Sequence, residues 1–185
     1  MKKSFTLIEM IVVIAVIGLV LPALFSIVFV ILQQQTKIYR LSEVKKQGDA
    51  ALSIIEDVMK NNGYGIYSEQ ALTNEKCAVA SSVYPAAAPY DGANFYLKDK
   101  LGNWFRFDLS NSAISSSSAH LIQPASLTNS KVVISSDHFI SCSRTSLYST
   151  PLIFIKFSVS YNTTSTRNEE IASITYQTRI KLKNY

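Results

Sequence analysis

Hydrophobic and polar positions divide the chain into stretches of different period. From Met10 to Leu32 twenty-three residues pass without a charge. As a helix rising 1.5 Å per residue, that run reaches roughly 34 Å, enough to cross a hydrocarbon core of about 30 Å. Beyond it the period becomes amphipathic: Ile38, Leu41, Val44, Gly48, Ala51 with Leu52, Ile55 and Met59 recur every three to four residues. One helix is therefore predicted from about Thr6 to Lys60, anchoring with its first half and burying a stripe of its second half against a partner. Asn61-Asn62-Gly63 predicts its end, with Gly63 in the left-handed conformation at the C-terminal cap.

After the helix the period changes to two. Tyr64 to Asn94 shows no sustained periodicity and is punctuated by Gly65, Pro85, Pro89 and Gly92, which predicts a long connection. Phe95 and Leu97, then Phe105, Phe107 and Leu109, alternate with polar neighbours around a Lys98 to Asn103 turn and predict a β-hairpin. Ser110 to Ser118 reads as a polar loop, and Val132 to Ser135 and Phe139 to Cys142 as short strands. Two later strands are clearer: Ile153, Ile155, Phe157, Val159 and Tyr161 share one face, as do Ile174, Tyr176, Thr178, Ile180 and Leu182, with Asn162 to Glu170 as the loop between. A sheet covering the helical stripe gives an α+β fold, a long N-terminal helix packed against an antiparallel β-sheet head. The expected divisions are a membrane helix at 5–32, an amphipathic half at 33–62, a connecting region at 63–94 and the head at 95–185.

Composition sharpens this division. Met1 to Leu32 holds 24 hydrophobic residues of 32, whereas Gln33 to Tyr185 holds 64 of 153, so the overall 48% describes neither part. A charged fraction of 17% with 11% aromatics excludes a wholly disordered chain, and two cysteines exclude a disulfide-dense scaffold. The apolar run is too long for an ordinary secretory signal, whose core spans about 7 to 15 residues. Lys2 and Lys3 before it keep the N-terminus cytoplasmic and send Gln33 onward outside, with Lys37 and Arg40 pulling the other way.

Glu9 stands at the mouth of the run, four positions after Phe5. A carboxylate in lipid costs several kcal/mol unless it snorkels to the interface or finds a cation, and Met10 to Leu32 supplies none. Gly18 and Pro22 interrupt the apolar helix, because proline removes a backbone bond and bends or loosens the preceding turn.

Lys2-Lys3-Ser4-Phe5-Thr6-Leu7-Ile8-Glu9-Met10-Ile11-Val12-Val13-Ile14 resembles the cleavage and methylation signal of type IV prepilins and pseudopilins. The likeness covers about 30 of 185 residues, and Ser4 stands where the family usually has glycine. The resemblance implies a four-residue leader, 1–4, cut by prepilin peptidase between Ser4 and Phe5, with methylation of the new Phe5 amine. It further implies that Glu9 accepts the Phe5 ammonium, its own or a neighbouring subunit's, inside a filament core. Other pilin or pseudopilin subunits, an inner-membrane assembly platform and membrane lipid are the partners that go with it. Family filaments extend locally near positions such as Gly18 and Pro22. Ala51 to Tyr64 resembles the end of the long helix in J-type pseudopilins and W-type minor pilins.

Other chemistry is sparse. Cys77 and Cys142 would close a loop of 65 residues outside the cytoplasm, against the alternative of two free thiols. His120 and His138 are the two histidines, and Asp137, His138 and Cys142 would make a metal site only if folded together, so none is expected, nor any cofactor. No Gly-rich phosphate loop, H-E-x-x-H or G-x-S-x-G occurs, and no catalytic set is expected. Asn162-Thr163-Thr164 fits a glycosylation sequon by chance composition. Arg179, Lys181 and Lys183 fall on one face of the last strand, a strip that either protects a sheet edge or meets an acidic polymer or DNA. Two function classes follow: a structural filament subunit of a pilus or secretion pseudopilus, or an anchored extracytoplasmic domain that binds or catalyses.

Overall fold

A computed structural model describes residues 6–77, 83–84, 95–146, 148–167 and 170–182. Ser4, Phe5, Lys183 and residues 78–82 and 85–94 of the connecting region lie outside the described residues. Among the described residues a single helix, α1 (Leu7–Asn62), carries the chain up to a head of ten strands. Its 56 residues extend about 84 Å.

The strands form two antiparallel sheets where one was expected. The first contains β1 (Gly65–Tyr67), β3 (Tyr96–Lys98), β4 (Trp104–Ser110), β5 (Ala113–Ser118) and β6 (Ala125–Ser126), in the order β1-β3-β4-β5-β6. The second contains β2 (Val83–Tyr84), β7 (Val132–Ser135), β8 (Ile140–Ser143), β9 (Leu152–Tyr161) and β10 (Ser173–Lys181), in the order β10-β9-β8-β2. Strand β9 is the longest: β10 pairs along one side of it, while β8 and β7 share the other, opposite Leu152–Ile155 and Ser158–Tyr161. The predicted hairpin is β3–β4, with Leu97 opposite Phe105.

Helix α1 packs chiefly on the inner face of β9 and β10. Val44, Gly48, Ala51, Ile55 and Met59 are its buried positions, at the three- and four-residue spacing of one face. The stripe starts later than its pattern predicts, for Ile38 is 66% and Leu41 42% exposed. The head begins only level with Arg40, whose Nη1 donates to the Glu170 carbonyl (2.7 Å) and lies near its Oε2 (3.3 Å), with the guanidinium over the Tyr161 ring. Helical stripe, Leu97, Phe105, Phe107 and Ile114 of the first sheet, and Ile153, Ile155, Phe157 and Val159 of the second form one hydrophobic core.

Two close approaches fix the helix on the sheet. A Cβ on Gly48 would lie 2.2 Å from the Tyr176 ring, which stacks on Phe157 (5.4 Å between centroids) and donates its hydroxyl to the Lys45 carbonyl. Gly63 is not left-handed but extended (φ −80°, ψ 120°), so its role is not the conformational one predicted. A Cβ there would meet the Met59 carbonyl at 2.6 Å and Leu182 at 2.7 Å, and the glycine lets the last strand's end close over the helix end.

Three further expectations change. Ser110 to Ser118 is no loop: Ala113–Ser118 is β5, paired with β4 over six residues. Of its two buried serines, Ser115 donates to Asp108, which also pairs with Arg106 at 3.0 Å, whereas the Ser117 hydroxyl meets no hydrogen-bond partner among the described residues. The connection 63–94 contains two short strands, β1 and β2, the second held beside Cys142. Finally, α1 runs unbroken through Gly18 and Pro22 in the lone chain. Pro22 cannot bond the carbonyl four residues back, which belongs to Gly18, and the neighbouring turns carry the helix past that gap.

Candidate functional site

The site begins at the N-terminus of α1. Thr6 is extended (φ −82°, ψ 149°) and caps the helix: its Oγ1 accepts from the Glu9 backbone N–H at 3.4 Å. Glu9 reaches back, its Oε2 accepting from the Thr6 backbone N–H at 2.8 Å and from the Thr6 hydroxyl at 2.9 Å. This reciprocal capping box satisfies amide groups that a helix start leaves unpaired. The sequence signal for it is the Thr-x-x-Glu spacing before an apolar run, which the expectation of the Phe5 ammonium as partner passed over. Both contacts use Oε2, so among the described residues Oε1 stays open to a further donor. Phe5, the expected donor, lies outside them.

Above the cap, no residue from Leu7 to Leu32 is buried by the chain's own fold. The mean hydropathy of its most apolar window is 3.0, and α1 is the one described helix long and apolar enough to cross a membrane. Each Leu, Ile, Val or Phe side chain left in water forgoes about 1.5–3 kcal/mol of burial. A helix this apolar and this uncovered needs lipid or other helices around it, which fits single-pass anchoring. A Cβ on Gly18 would meet nothing within 4 Å, so both Gly18 and Pro22 lie on open helix surface.

The other predicted positions are scattered over the head. Cys77 and Cys142 form a disulfide with Cα atoms 6.3 Å apart, and Cys142 on β8 is buried. That bond removes Cys142 from any metal set with Asp137 and His138, and among the described residues no group of three or more His, Cys, Asp or Glu could hold a metal. His120 stands at the far end of the head from the membrane helix, lining a cleft with Asn62 and Asp99. Asp99 itself belongs to the β3–β4 turn. Burial raises its pKa, but bonds from the Asn103 and Leu101 backbone outweigh this and bring it below the ordinary value. Arg179 and Lys181 lie exposed on the outward face of β10.

The electrostatics between α1 and the head favour ionised carboxylates. Glu56 accepts from Lys60 Nζ (2.8 Å) and Thr178 Oγ1 (2.6 Å), which pulls its pKa below 4.5. Glu43 is likewise lowered, first by its bond from Asn129. Burial, then Asp49, pushes the Tyr176 hydroxyl up to about 12.

Residues 1–21 match the prokaryotic N-terminal methylation motif. No curated protein matches the chain, and no solved structure matches it. The matched segment contains the capping box and the first half of the uncovered helix.

Proposed function

We propose that this chain, a prepilin-like substrate of prepilin peptidase by its first 21 residues, is a structural, minor subunit of a type IV pilus or type II secretion pseudopilus. The observation that carries the reading is the coincidence of that motif with a helix whose N-terminal half the molecule leaves bare and whose C-terminal half buries one face against the head. Such a helix has one part for membrane and neighbours and one part for its own head. The peptidase cuts between Ser4 and Phe5 on the cytoplasmic side and methylates Phe5. Lys2 and Lys3 leave with the leader, and the head stands outside the cytoplasm. On assembly the apolar half moves from lipid into a core of like helices, where the Phe5 ammonium meets the open oxygen of Glu9. The gap that Pro22 leaves at the Gly18 carbonyl is where the helix gives when neighbours crowd it. The resemblance of Ala51 to Tyr64 to J-type and W-type helix ends supports the minor role, and the inner-membrane assembly platform is the partner that delivers the subunit.

Expression of the full chain with and without a prepilin peptidase tests this reading. The peptidase is expected to convert it to a shorter, membrane-retained form that co-purifies with other subunits. A chain that the enzyme leaves untouched, anchored and alone, would be a membrane-tethered binding or enzymatic domain instead.

A further inference from the structure

The outer face of the second sheet carries cations that the assembly reading does not use. Inward residues of β9 alternate with outward Phe154, Lys156 and Ser158, and outward residues of β10 include Gln177, Arg179 and Lys181. The register sets Arg179 opposite Phe154 and Gln177 opposite Lys156. Lys156, Arg179 and Lys181 thus form a diagonal row with steps of about 7 Å. None of the three has an ion-pair partner among the described residues. A groove of about 660 Å³ runs beside the row, lined by His138, Ser141, Lys156, Gln177 and Arg179. It continues into a second of about 420 Å³ with Ser158 and Thr175, where Asp137 is the carboxylate. From Gly63 onward the chain has 11 Lys and Arg against 8 Asp and Glu.

We propose that this face binds the phosphate backbone of duplex DNA without reading its sequence. Lysine, arginine, serine, threonine and glutamine are the side chains that contact phosphate oxygens, and here they occupy one continuous surface. Among the described residues no helix or ribbon projects from this sheet face to enter a DNA groove, so base edges stay out of reach. The arginine guanidinium lies over Phe154, 5.2 Å from the ring centroid. That occupied ring disfavours unpaired bases and sugar polymers, both of which stack on open aromatic faces. Charge that guards a sheet edge accounts for Arg179 and Lys181 on β10 but not for Lys156, which sits on interior β9. Bonds from Tyr176 to Lys45 and from Thr178 to Glu56 show that β10 runs alongside α1 and that the cationic face points away from it. The face therefore stands up from a membrane crossed by α1, and access from outside a helix-cored filament rests on the function proposed above.

The test uses the full chain in a nonionic detergent, so it does not depend on assembly. Fluorescence anisotropy with a labelled duplex of scrambled sequence measures affinity across a salt series. The parent is expected to bind with a slope of log K against log salt of about −3, as three phosphate contacts give. Lys156→Gln/Arg179→Gln/Lys181→Gln should weaken binding at least tenfold and flatten that slope. The control Lys37→Gln/Lys46→Gln/Lys100→Gln removes as much charge elsewhere and should stay within about twofold of the parent. Equal loss in both variants, salt-independent binding, no binding, or equal competition by a polyuronate of matched charge would each overturn the proposal. Should the triple variant self-associate, Lys156→Gln alone must still weaken binding severalfold, and unchanged affinity there overturns it too. N-terminal processing of every variant reads the function proposed above separately.

Discussion

Glu9 has one observed role and one proposed role, and a single substitution separates them. Its Oε2 closes the capping box with Thr6, a bond that cleavage before Phe5 leaves intact because Thr6 keeps its amide N–H. Its negative charge is what a neighbour's ammonium would require. Glutamine can complete a capping box but cannot neutralise a cation. Glu9→Gln and Glu9→Val should both insert into membranes normally, and both should lower recovery in sedimented filaments by roughly tenfold, the worth of a charge-assisted bond. Incorporation of Glu9→Gln at the parent level would reduce Glu9 to a cap. Gly48 makes a second residue-scale prediction, since a Cβ there would collide with Tyr176 held between the helix and Phe157. Gly48→Ala should destabilise the head by about 1–3 kcal/mol in thermal unfolding, despite alanine's better helix propensity. In Tyr176→Leu the same change should cost much less, a coupling that a double-mutant cycle would expose.

At the scale of elements, the contact of α1 with β10 is sensitive to pH through Glu56. Bonds from Lys60 and Thr178 depress its folded pKa below 4.5. A depressed acid contributes stability above its unfolded pKa and loses it as pH falls through the folded value. The head should therefore weaken as pH drops below about 4.5, and Thr178→Val should shrink that loss while costing about 1 kcal/mol or less at neutral pH, given the site's exposure. Urea unfolding at two pH values checks both. The Cys77–Cys142 bridge ties the start of the connecting region to β8 across 65 residues. Cys77→Ser/Cys142→Ser is expected to cost up to about 4 kcal/mol, and reductant should raise the intact mass by two hydrogens. Period-two alternation made the β3–β4 hairpin, β7 and the β9–β10 pair legible in the sequence. Strand β5 was hidden because serines fill it from Ser115 to Ser118, and the burial of Ser115 depends on Asp108 and on a pairing that no local pattern announces. Division into two sheets was equally illegible, since it rests on which strand edges meet.

Across the whole molecule, the sequence carried its own division of labour. An uncharged run followed by an amphipathic stripe predicted one helix with two environments, and the fold differs mainly in where the second environment starts, at Val44 rather than Ile38. The late start lengthens the bare part of α1, leaving Ile38, Tyr39 and Leu41 exposed below the head as further surface for neighbours. Gly63 illustrates the opposite case: the helix end was readable, yet its glycine serves close packing with Leu182, a contact from the far end of the chain. The cleavage expected between Ser4 and Phe5 rests on the resemblance of Lys2 to Ile14 alone, because nothing in periodicity marks that bond. The central claim is that this bond is cut and the new amine methylated. Intact-mass and N-terminal fragment analysis of the chain from a cell with a prepilin peptidase tests it most directly. The mature chain should have 181 residues, begin at Phe5 and carry one methyl group on its amine. A chain that still begins at Met1 would contradict it.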